Sequence, residues 1–374
     1  MVEVIHSIHF PVSARSFIQP IVEYLNQAGI DAELWAEYQP KHQAVIDQLQ
    51  VPKQFIDSNL TLSPIAFLRK LSCYRQRLKL AKPRLLHTHQ SRASLIPLLA
   101  AYLERVPIRV YQNHGLPYLG YQGILRYALR LLDMINIRLA THVLLVSHSN
   151  LKEARMDGLL ADDRGAVLAG GSIAGIDLNQ FDAKPLDLIQ AKQRLGVAAA
   201  PFVLAYIGRP VRRKGFHLLL KAWERSGLGN QNNVLLIAGC TAAECESALG
   251  RTIAGVRGLG YLTDLHELYA ACDAVTLPSE HEGFPYSLLE GAAAAKPLIG
   301  TDIPGIRCAI EAGQTGLLLP AKDEVALTEA IQRLATDLGL RSRLGQNARK
   351  RVEQEFSREK VLDSLLEFYR QLGL

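Results

Sequence analysis

Cysteine is scarce in this sequence, and the cysteines present follow no pairing or metal-binding pattern. Five occur among 374 residues. None belongs to a C-x-x-C pair or stands beside a histidine at zinc spacing. The chain therefore has no signature of a disulfide framework or a zinc module, and the thiols are typical of a protein in a reducing compartment.

Long hydrophobic runs and a secretory leader are also missing. The run LIPLLAAYL at 95–103 is far shorter than the roughly 20 residues needed to cross a bilayer. MVEVIHSIHF at 1–10 leads directly into a strand pattern, without the charged and apolar regions of a signal peptide. We expect a soluble, cytoplasmic protein, with peripheral attachment to the inner face of the cell membrane as an alternative.

Acidic residues are absent between Asp57 and Glu104, where eight lysines and arginines occur. In this stretch PIAFLRKLSCYRQRLKL at 64–80 places apolar residues at helical spacing, with the basic residues mostly elsewhere. Such a helix can lie on an anionic membrane surface, or it can pack on its own domain. No aromatic platform accompanies the basic residues, so nucleic acid is not an expected partner.

An Asp-x-Asp pair at the end of an apolar strand is missing as well. Asp162 and Asp163 are adjacent, but they lie in the loop-like stretch LLADDRG. The sequence therefore does not indicate a metal held by carboxylates against a diphosphate. We expect no metal and no other cofactor.

What the sequence does contain is a repeated alternation of strand-like and helix-like stretches. Two such blocks predict an α/β protein of two doubly wound, Rossmann-like parallel-sheet domains, facing each other across a cleft. We place the first domain at 1–184 and the second at 185–352. A final helical segment, 353–374, has an apolar stripe and is expected to pack back on the first domain.

Ligands of open parallel sheets bind beyond the carboxyl ends of the strands, where GRPVRRKG at 208–215 stands out. Gly208 permits close approach of a ligand, and Arg209 and Lys214 are fixed cations near a helix N-terminus, which suits a diphosphate. The stretch lacks the glycine spacing of a P-loop. On its own it is a weak signal.

A second strand-to-helix turn, EGFPYSLLE at 282–290, carries two carboxylates. Glu282 begins the turn, and Glu290 lies one to two turns into the helix with its side chain directed back toward the helix start. Carboxylates would repel phosphate, but they can accept hydrogen bonds from the hydroxyls of a ribose or a sugar. The alternatives are an exposed loop acid for Glu282 and a helix-surface acid for Glu290.

Histidines end two strands of the first half. His114 in QNHG could exchange a proton or bind a sugar hydroxyl, or it could cap the strand end. In HTHQS at 87–91 a structural role is favoured for both histidines, with His89 more suited than His87 to face the cleft.

Together these stretches resemble the GT-B glycosyltransferases of glycosyltransferase family 4. The resemblance covers nearly the whole chain and includes 208–224, 260–305 and 355–369. HTHQSRA, RVYQNHGLPY and GGSIAGIDLNQF resemble the capsule and exopolysaccharide branch of that family. The branch implies an acceptor linked to a polyprenyl diphosphate at the inner membrane face.

The resemblance implies roles for individual residues. Arg209 and Lys214 would hold the donor diphosphate, Glu290 the ribose and Glu282 the donor sugar, while His114 would lie near the reacting carbon. The implied catalytic residues are His114, Glu282, Arg209 and Lys214. The implied donor-binding residues are Gly208, Arg209, Lys214, Tyr261, Leu262, Glu282, Gly283, Phe284, Ser287 and Glu290. The candidate acceptor-binding residues are Ser13, Arg15, Ser16 and His89.

Two positions depart from the family pattern. Many members carry a Gly-Gly pair in the first strand-to-helix loop, where this chain has FPVSARS at 10–16. Cys308 stands where an acid usually follows the P-G-x-R motif.

The function implied is a retaining, metal-independent transfer of a hexose or N-acetylhexosamine. The donor would be a nucleoside diphosphate sugar, with UDP favoured over GDP, and the acceptor a saccharide linked to a lipid diphosphate in exopolysaccharide or lipopolysaccharide synthesis. Two alternatives remain open: a nucleotide-sugar epimerase of the same fold, and an inactive nucleotide-sugar-binding partner in an assembly.

Overall fold

The computed structural model of the protein describes residues 2–9, 13–38, 42–57, 63–182 and 185–374. The chain divides into two compact units, Met1–Gly175 with Glu359–Leu374, and Ile176–Arg358. The predicted domain boundary follows residue 184. Residues 183 and 184, next to it, lie outside the described residues.

A six-stranded parallel sheet forms the centre of the first unit. Its strands are β1 (Val4–Ile8), β2 (Ala32–Tyr38), β3 (Lys53–Asp57), β4 (Leu85–His89), β5 (Ile108–Asn113) and β6 (His142–Leu145). They pair in the order β3-β2-β1-β4-β5-β6. Every residue of β1 and β4 is buried, as expected for parallel strands covered on both faces. The order reverses between β1 and β4, which makes that junction the switch point where ligands commonly bind.

Helices cover this sheet. They are α1 (Gln19–Gln27), α2 (Gln43–Asp47), α3 (Pro64–Ala81), α4 (Ser91–Leu103), α5 (Gly123–Leu139) and α6 (His148–Met156). A π-helical turn, Ala14–Ile18, precedes α1. Helix α3 shows how local sequence sets a boundary: the Ser63 hydroxyl accepts a hydrogen bond from the amide of Ala66, and Pro64 occupies the first helical position.

The second unit contains a seven-stranded sheet. Its strands are β7 (Val203–Ile207), β8 (Val234–Ala238), β9 (Cys240–Thr241), β10 (Val256–Gly260), β11 (Ala274–Leu277), β12 (Leu298–Thr301) and β13 (Gly316–Leu319). The order is β13-β12-β11-β7-β8-β10-β9. All pairs are parallel except β9 with β10. The switch point of this sheet lies between β7 and β11.

Eight helices of the second unit are described. They are α7 (Pro185–Arg194), α8 (Phe216–Ser226), α9 (Ala242–Leu249), α10 (His266–Ala271), α11 (Tyr286–Ala293), α12 (Ile306–Ala309), α13 (Glu324–Thr336) and α14 (Leu338–Arg351). A π-helical segment, Val352–Phe356, follows α14.

The last helix, α15 (Arg358–Gln371), joins the first unit from Glu359 onward. It buries Val361, Leu362, Leu365, Leu366 and Tyr369. The amide of Ala169 donates to the hydroxyl of Ser364 at 3.2 Å. Each buried aliphatic side chain contributes about 1.5–3 kcal/mol, so the apolar stripe of α15 is held mainly by burial against the first unit.

The structure confirms the predicted fold class of two Rossmann-like parallel-sheet domains.

The structure also shows where the apolar residues of α3 lie: Tyr74 and Leu78 are buried, whereas Leu68 is 62% exposed. Several basic residues of α3 are engaged within the unit, since Lys70 pairs with Glu37 and Arg75 with Glu104. None of the helices in the described ranges is long and apolar enough to pass through a membrane.

Candidate active site

The two strand-to-helix turns singled out in the sequence follow neighbouring strands, β7 and β11. Gly215 joins the first turn to α8 with φ of 70°, and a Cβ atom there would overlap the carbonyl oxygen of Pro278 in the second turn. The amide of Glu280 donates to the carbonyl of Arg213 at 2.8 Å. The backbones of the two turns are thus in direct contact, which a side chain at 215 would prevent.

Their side chains meet as well. The Lys214 ammonium lies 2.5 Å from Oε1 of Glu282, and the hydroxyl of Ser279 donates to the same oxygen at 2.7 Å. Glu282 is 8% exposed, so it is not the exposed loop acid considered from the sequence. A buried carboxylate is tolerated when a cation and a hydroxyl stabilise it.

Arg209 takes a different position in the first turn. Arg209 is exposed, so its guanidinium is accessible to a ligand that enters from solvent. The buried hydroxyl of Tyr206 donates to the carbonyl of Arg209 at 3.0 Å and lies 3.4 Å from the carbonyl of Lys214. Tyr206 therefore braces the backbone of the turn, and the Cβ of a larger residue at Gly208 would crowd its ring.

Glu290 is the fifth of the eight residues of α11 and is half-buried. Removal from water raises the pKa of its carboxyl to about 7, although the hydrogen bond from Tyr269 opposes the shift. The Tyr269 hydroxyl lies 2.8 Å from Oε2 of Glu290 and 3.0 Å from the carbonyl of Ser287. Glu290 is thus an oriented carboxyl poised near neutral pH, which is a common property of functional carboxylates.

The remaining predicted donor-site residues surround these turns. Tyr261 follows β10 and is 78% exposed, which leaves its ring available for stacking, and Leu262 is half-buried. Gly283 and Ser287 are half-buried. Phe284 is buried, with its ring 5.4 Å from that of Phe356, so its side chain supports the turn and only its backbone could serve a ligand.

The predicted histidines lie in the first unit. His87 and His89 belong to β4, beside the switch point with β1, and His114 follows the next strand, β5. His114 is half-buried, and its Nε2 lies 3.1 Å from Nδ1 of His89. Burial lowers the pKa of His114 to about 3, so its ring is neutral at physiological pH. His89 has no exposed surface, and its Nε2 lies 3.0 Å from Nδ1 of His6. The expected role of His89 in acceptor binding therefore has no support in this structure.

The first unit contains three buried histidines close together. Their ligand nitrogens, one each from His6, His87 and His89, lie within 4.8 Å of one another. That spacing would allow them to share one metal ion, which the sequence did not predict. Their nitrogens are instead arranged within hydrogen-bonding distance of one another and of Tyr369.

The other candidate acceptor residues lie at the start of the first helix. Ser13 is half-buried and precedes the π-helical turn, while Arg15 and Ser16 are exposed. The Arg15 guanidinium donates to Oε1 of Gln48 at 2.6 Å. Among the described residues, no hydrogen bond or ion pair joins Ser13, Arg15 or Ser16 to His89 or His114.

Sequence reasoning missed the side chains that support the site. Ser279 and Tyr269 hold the two carboxylates, and Tyr206 holds the first turn. Ser279 ends the apolar run DAVTLPS, so its position at a strand end was a usable signal. Tyr206 and Tyr269 are ordinary core aromatics in the sequence, and only the folded structure shows where their hydroxyls point.

Two family profiles match the chain. The profile described as Glycosyltransferase Family 4 matches residues 15–167, and the profile described as Glycosyl transferases group 1 matches residues 189–351. The second range includes both strand-to-helix turns, and the first includes His89 and His114.

Individual proteins resemble the chain over much of its length. The capsular polysaccharide biosynthesis glycosyltransferase CapM of Staphylococcus aureus is 28% identical over 295 residues, which is 77% of each chain. A D-inositol 3-phosphate glycosyltransferase of Actinosynnema mirum is 30% identical over 61% of this chain and 57% of its own length. Among solved structures, Anabaena HepE in complex with UDP and glucose superposes with a TM-score of 0.82, at 19% identity, over 99% of this chain and 100% of that one.

Proposed function

The chain belongs to the GT-B glycosyltransferases that combine a family 4 domain with a group 1 domain, and we propose that it transfers a hexose or N-acetylhexosamine from a nucleoside diphosphate sugar. The proposed acceptor is a saccharide, carried on a lipid diphosphate, in cell-surface polysaccharide synthesis. The reaction retains the anomeric configuration and uses no metal. The name of CapM supports the polysaccharide context, and the complexes of HepE with UDP support UDP as the nucleotide through likeness of fold.

The observation that carries this proposal is the contact between Lys214 and Glu282. It brings a cation suited to phosphate and a carboxylate suited to sugar hydroxyls to one point, at the switch of the second sheet. Arg209 adds an exposed cation on the same turn. A diphosphate held by Lys214 would thus place the attached sugar beside Glu282.

The other end of the donor has a matching set of groups. Glu290, oriented by Tyr269, would accept hydrogen bonds from the ribose, and Tyr261 and Leu262 would flank the base. The backbones of Gly283 and Phe284 and the start of α11 at Ser287 would lie along the donor sugar and its phosphates. Each of these proposed roles requires only side-chain or backbone atoms of the residues named.

The chemistry follows from these positions. The bond between the anomeric carbon and the diphosphate oxygen breaks, and Arg209, Lys214 and the N-terminus of α8 stabilise the charge on the leaving diphosphate. The acceptor hydroxyl bonds to the anomeric carbon from the same face, and its proton passes to a diphosphate oxygen. In this scheme His114 would bind a hydroxyl near the reacting carbon as a neutral imidazole, and Ser13, Arg15 and Ser16 would bind the acceptor.

An anionic membrane surface is part of the proposal, and we propose α5 rather than α3 as the helix that contacts it. Ile124, Tyr127, Leu131 and Ile135 follow helical spacing and are 88%, 72%, 54% and 36% exposed. The single acid of α5, Asp133, is fully buried. An apolar helix face without exposed acids, with arginines on the same helix, suits the interface of an anionic bilayer.

Thermal stabilisation tests the donor site. Melting is measured with UDP, GDP, their sugars and other nucleoside diphosphates, first without metal and then with EDTA, because a ligand of the native state raises its melting temperature. We expect a UDP compound to give the largest shift, unchanged by EDTA and lost in Glu290→Ala. No shift with any nucleotide would contradict the proposal.

Product analysis tests the reaction itself. The donor is incubated with and without a panel of saccharide and polyprenyl-diphosphate-linked acceptors, and the product linkage is read by NMR. Transfer with retained configuration is the expected result. Conversion of the donor alone into a second nucleotide sugar would indicate an epimerase, and an inverted linkage would contradict the proposed mechanism.

A further inference from the structure

Five buried or half-buried side chains of the first unit form one continuous chain of hydrogen-bonding contacts. His87 Nδ1 lies 2.6 Å from the Tyr369 hydroxyl, which lies 3.1 Å from Nε2 of His6. His6 Nδ1 lies 3.0 Å from Nε2 of His89, and His89 Nδ1 lies 3.1 Å from Nε2 of His114. We call this set, from His87 through Tyr369, His6 and His89 to His114, the histidine chain.

The fold explains why the chain exists. His6 and His87 are direct partners in the paired strands β1 and β4, and His89 is two residues beyond His87, so its side chain lies on the same face of the sheet. Tyr369 comes from α15, which covers that face. The rings of His87 and His89 stack at 4.5 Å between centroids.

Four of the five members are fully buried, with His6, His87, His89 and Tyr369 at 0% exposure. Burial lowers the pKa of His6 to about 3 and holds the pKa values of His87 and His89 well below the usual range. The imidazoles are therefore neutral at physiological pH, and each carries a single N–H.

Neutrality makes the proton positions interdependent. His6 and His89 each use both ring nitrogens within the chain, so each must donate through one nitrogen and accept through the other. The Tyr369 hydroxyl likewise can donate to only one of its two neighbours. If the Tyr369 hydroxyl also donates within the chain, only two proton arrangements are possible. In each of them the protonation of Nε2 of His114 is coupled to the direction in which Tyr369 donates.

We propose that Tyr369, His6 and His89 are positioning residues that fix the ring and the tautomer of His114. Nε2 of His114 is occupied by His89, and no hydrogen bond joins Nδ1 to a described residue. Nδ1 is thus the nitrogen that faces a ligand, and the chain decides whether it offers a proton or a lone pair. This inference rests on the proposed role of His114 in sugar transfer.

The direct test is the tautomer of His114 in the full-length protein. Histidine labelled with ¹⁵N is incorporated, and long-range ¹H–¹⁵N correlation spectra are recorded at neutral pH. One resolved tautomer is expected for His114 in the parent protein. In Tyr369→Phe its two nitrogen shifts should move toward each other as the tautomers mix. Tyr74→Phe is the matched control, since it removes another fully buried tyrosine hydroxyl of this unit, bonded to Ser7 and outside the chain.

Turnover gives a second readout that a merely structural role would not produce. Tyr369→Phe should lower kcat about 10-fold by misplacing His114, with little change in KM for the donor, whereas Tyr74→Phe should not. In a His114→Ala background Tyr369→Phe should have no further effect on kcat, because its action passes through His114. An additive effect would overturn the proposal.

Other outcomes are equally decisive. Unchanged ¹⁵N shifts of His114 in Tyr369→Phe would overturn the inference, as would one tightly held metal ion per chain that is lost on mutation of His6. If Tyr369→Phe does not fold, His6→Gln interrupts the chain at the bond to His89 and carries the same test. Full turnover of His114→Ala would refute the proposed role of His114, while the ¹⁵N spectra would still test the histidine chain.

Discussion

The ammonium of Lys214 and the carboxylate of Glu282 are 2.5 Å apart, although 68 positions separate the two residues in the sequence. The contact exists because β7 and β11 are neighbours and both turns leave the sheet at its carboxyl edge. A diphosphate entering the site would share the lysine with this carboxylate. The contact therefore places the cation proposed to bind the leaving diphosphate next to the carboxylate proposed to bind the sugar hydroxyls.

Replacing Lys214 by alanine should lower kcat by about 10²–10³-fold, since one preorganised cation for the leaving diphosphate is lost. Glu282 keeps the hydroxyl of Ser279, so the fold should survive with a modestly lower melting temperature. Lys221→Ala, which removes an exposed lysine of α8, is the control and should leave turnover unchanged. Steady-state kinetics and circular dichroism check both variants, and near-normal turnover of Lys214→Ala would refute the donor-site assignment.

Glu290 should make stability depend on pH. A carboxyl whose pKa is raised on folding, here from 4.5 to about 7, stabilises the fold while it is protonated. This contribution is present below the ordinary pKa and is lost as the pH rises through 7. Glu290→Gln should therefore gain stability relative to the parent between pH 5 and pH 8, by roughly 2–3 kcal/mol at most. Urea denaturation at the two pH values measures it, and a constant difference would contradict the shifted pKa.

The same carboxyl should release a proton when the donor binds, because ribose hydroxyls favour its ionised form. Calorimetric titration with UDP-glucose near pH 7, in two buffers of different ionisation enthalpy, measures this release. A UDP-sugar is used rather than UDP so that a terminal phosphate does not titrate in the same range. The proton release should disappear in Glu290→Gln, and its persistence there would assign it to another group.

Gly215 and Gly250 provide a matched pair of glycines. Both have φ near 70°, but a Cβ at 215 would overlap the carbonyl of Pro278, whereas a Cβ at 250 would meet nothing within 4 Å. Gly250→Ala should cost only the left-handed strain of about 1–2 kcal/mol. Gly215→Ala should cost more and also reduce donor binding, since it separates the two turns. Equal losses of stability would show that the close approach is unimportant.

The exposed face of α5 should determine binding to anionic vesicles. Leu131→Asp removes an apolar contact and adds a negative charge, which we expect to weaken sedimentation with phosphatidylglycerol vesicles roughly 10-fold. Leu80→Asp makes the same change on α3, at a leucine that is 80% exposed, and should have little effect. The opposite result would return the membrane contact to α3, and binding unaffected by either change would exclude both helices.

Much of the site could be predicted because strand ends of parallel sheets are physically special. Arg209, Lys214, Glu282 and Glu290 follow two buried strands, and the rule that ligands gather there needs no tertiary information. The direct pairing of β7 with β11 could not be predicted from the sequence, because strand order depends on contacts between distant segments. The contact between Lys214 and Glu282 was therefore beyond reach of the sequence pattern.

Three strands, β3, β10 and β13, carry little strand signal in the sequence, for a physical reason. β10 has the sequence VRGLG and is mostly half-buried, while β3 and β13 lie at or near sheet edges. Such strands lack the continuous apolar run of a central parallel strand. The histidine chain was missed for a different reason: the register of β1 against β4 places His6 beside His87, and α15 supplies Tyr369 from 282 positions away.

The position of α15 has a consequence for biosynthesis. Because this helix belongs to the first unit but follows the second unit in the sequence, the first unit cannot be completed until the ribosome has made the entire second unit. During that interval the histidines of β1 and β4 lack their cover, and the apolar surface that α15 will occupy is open to water. The order of synthesis thus ties the maturation of the first unit to that of the second, and truncation near residue 369 would damage a unit that begins at the other end of the chain.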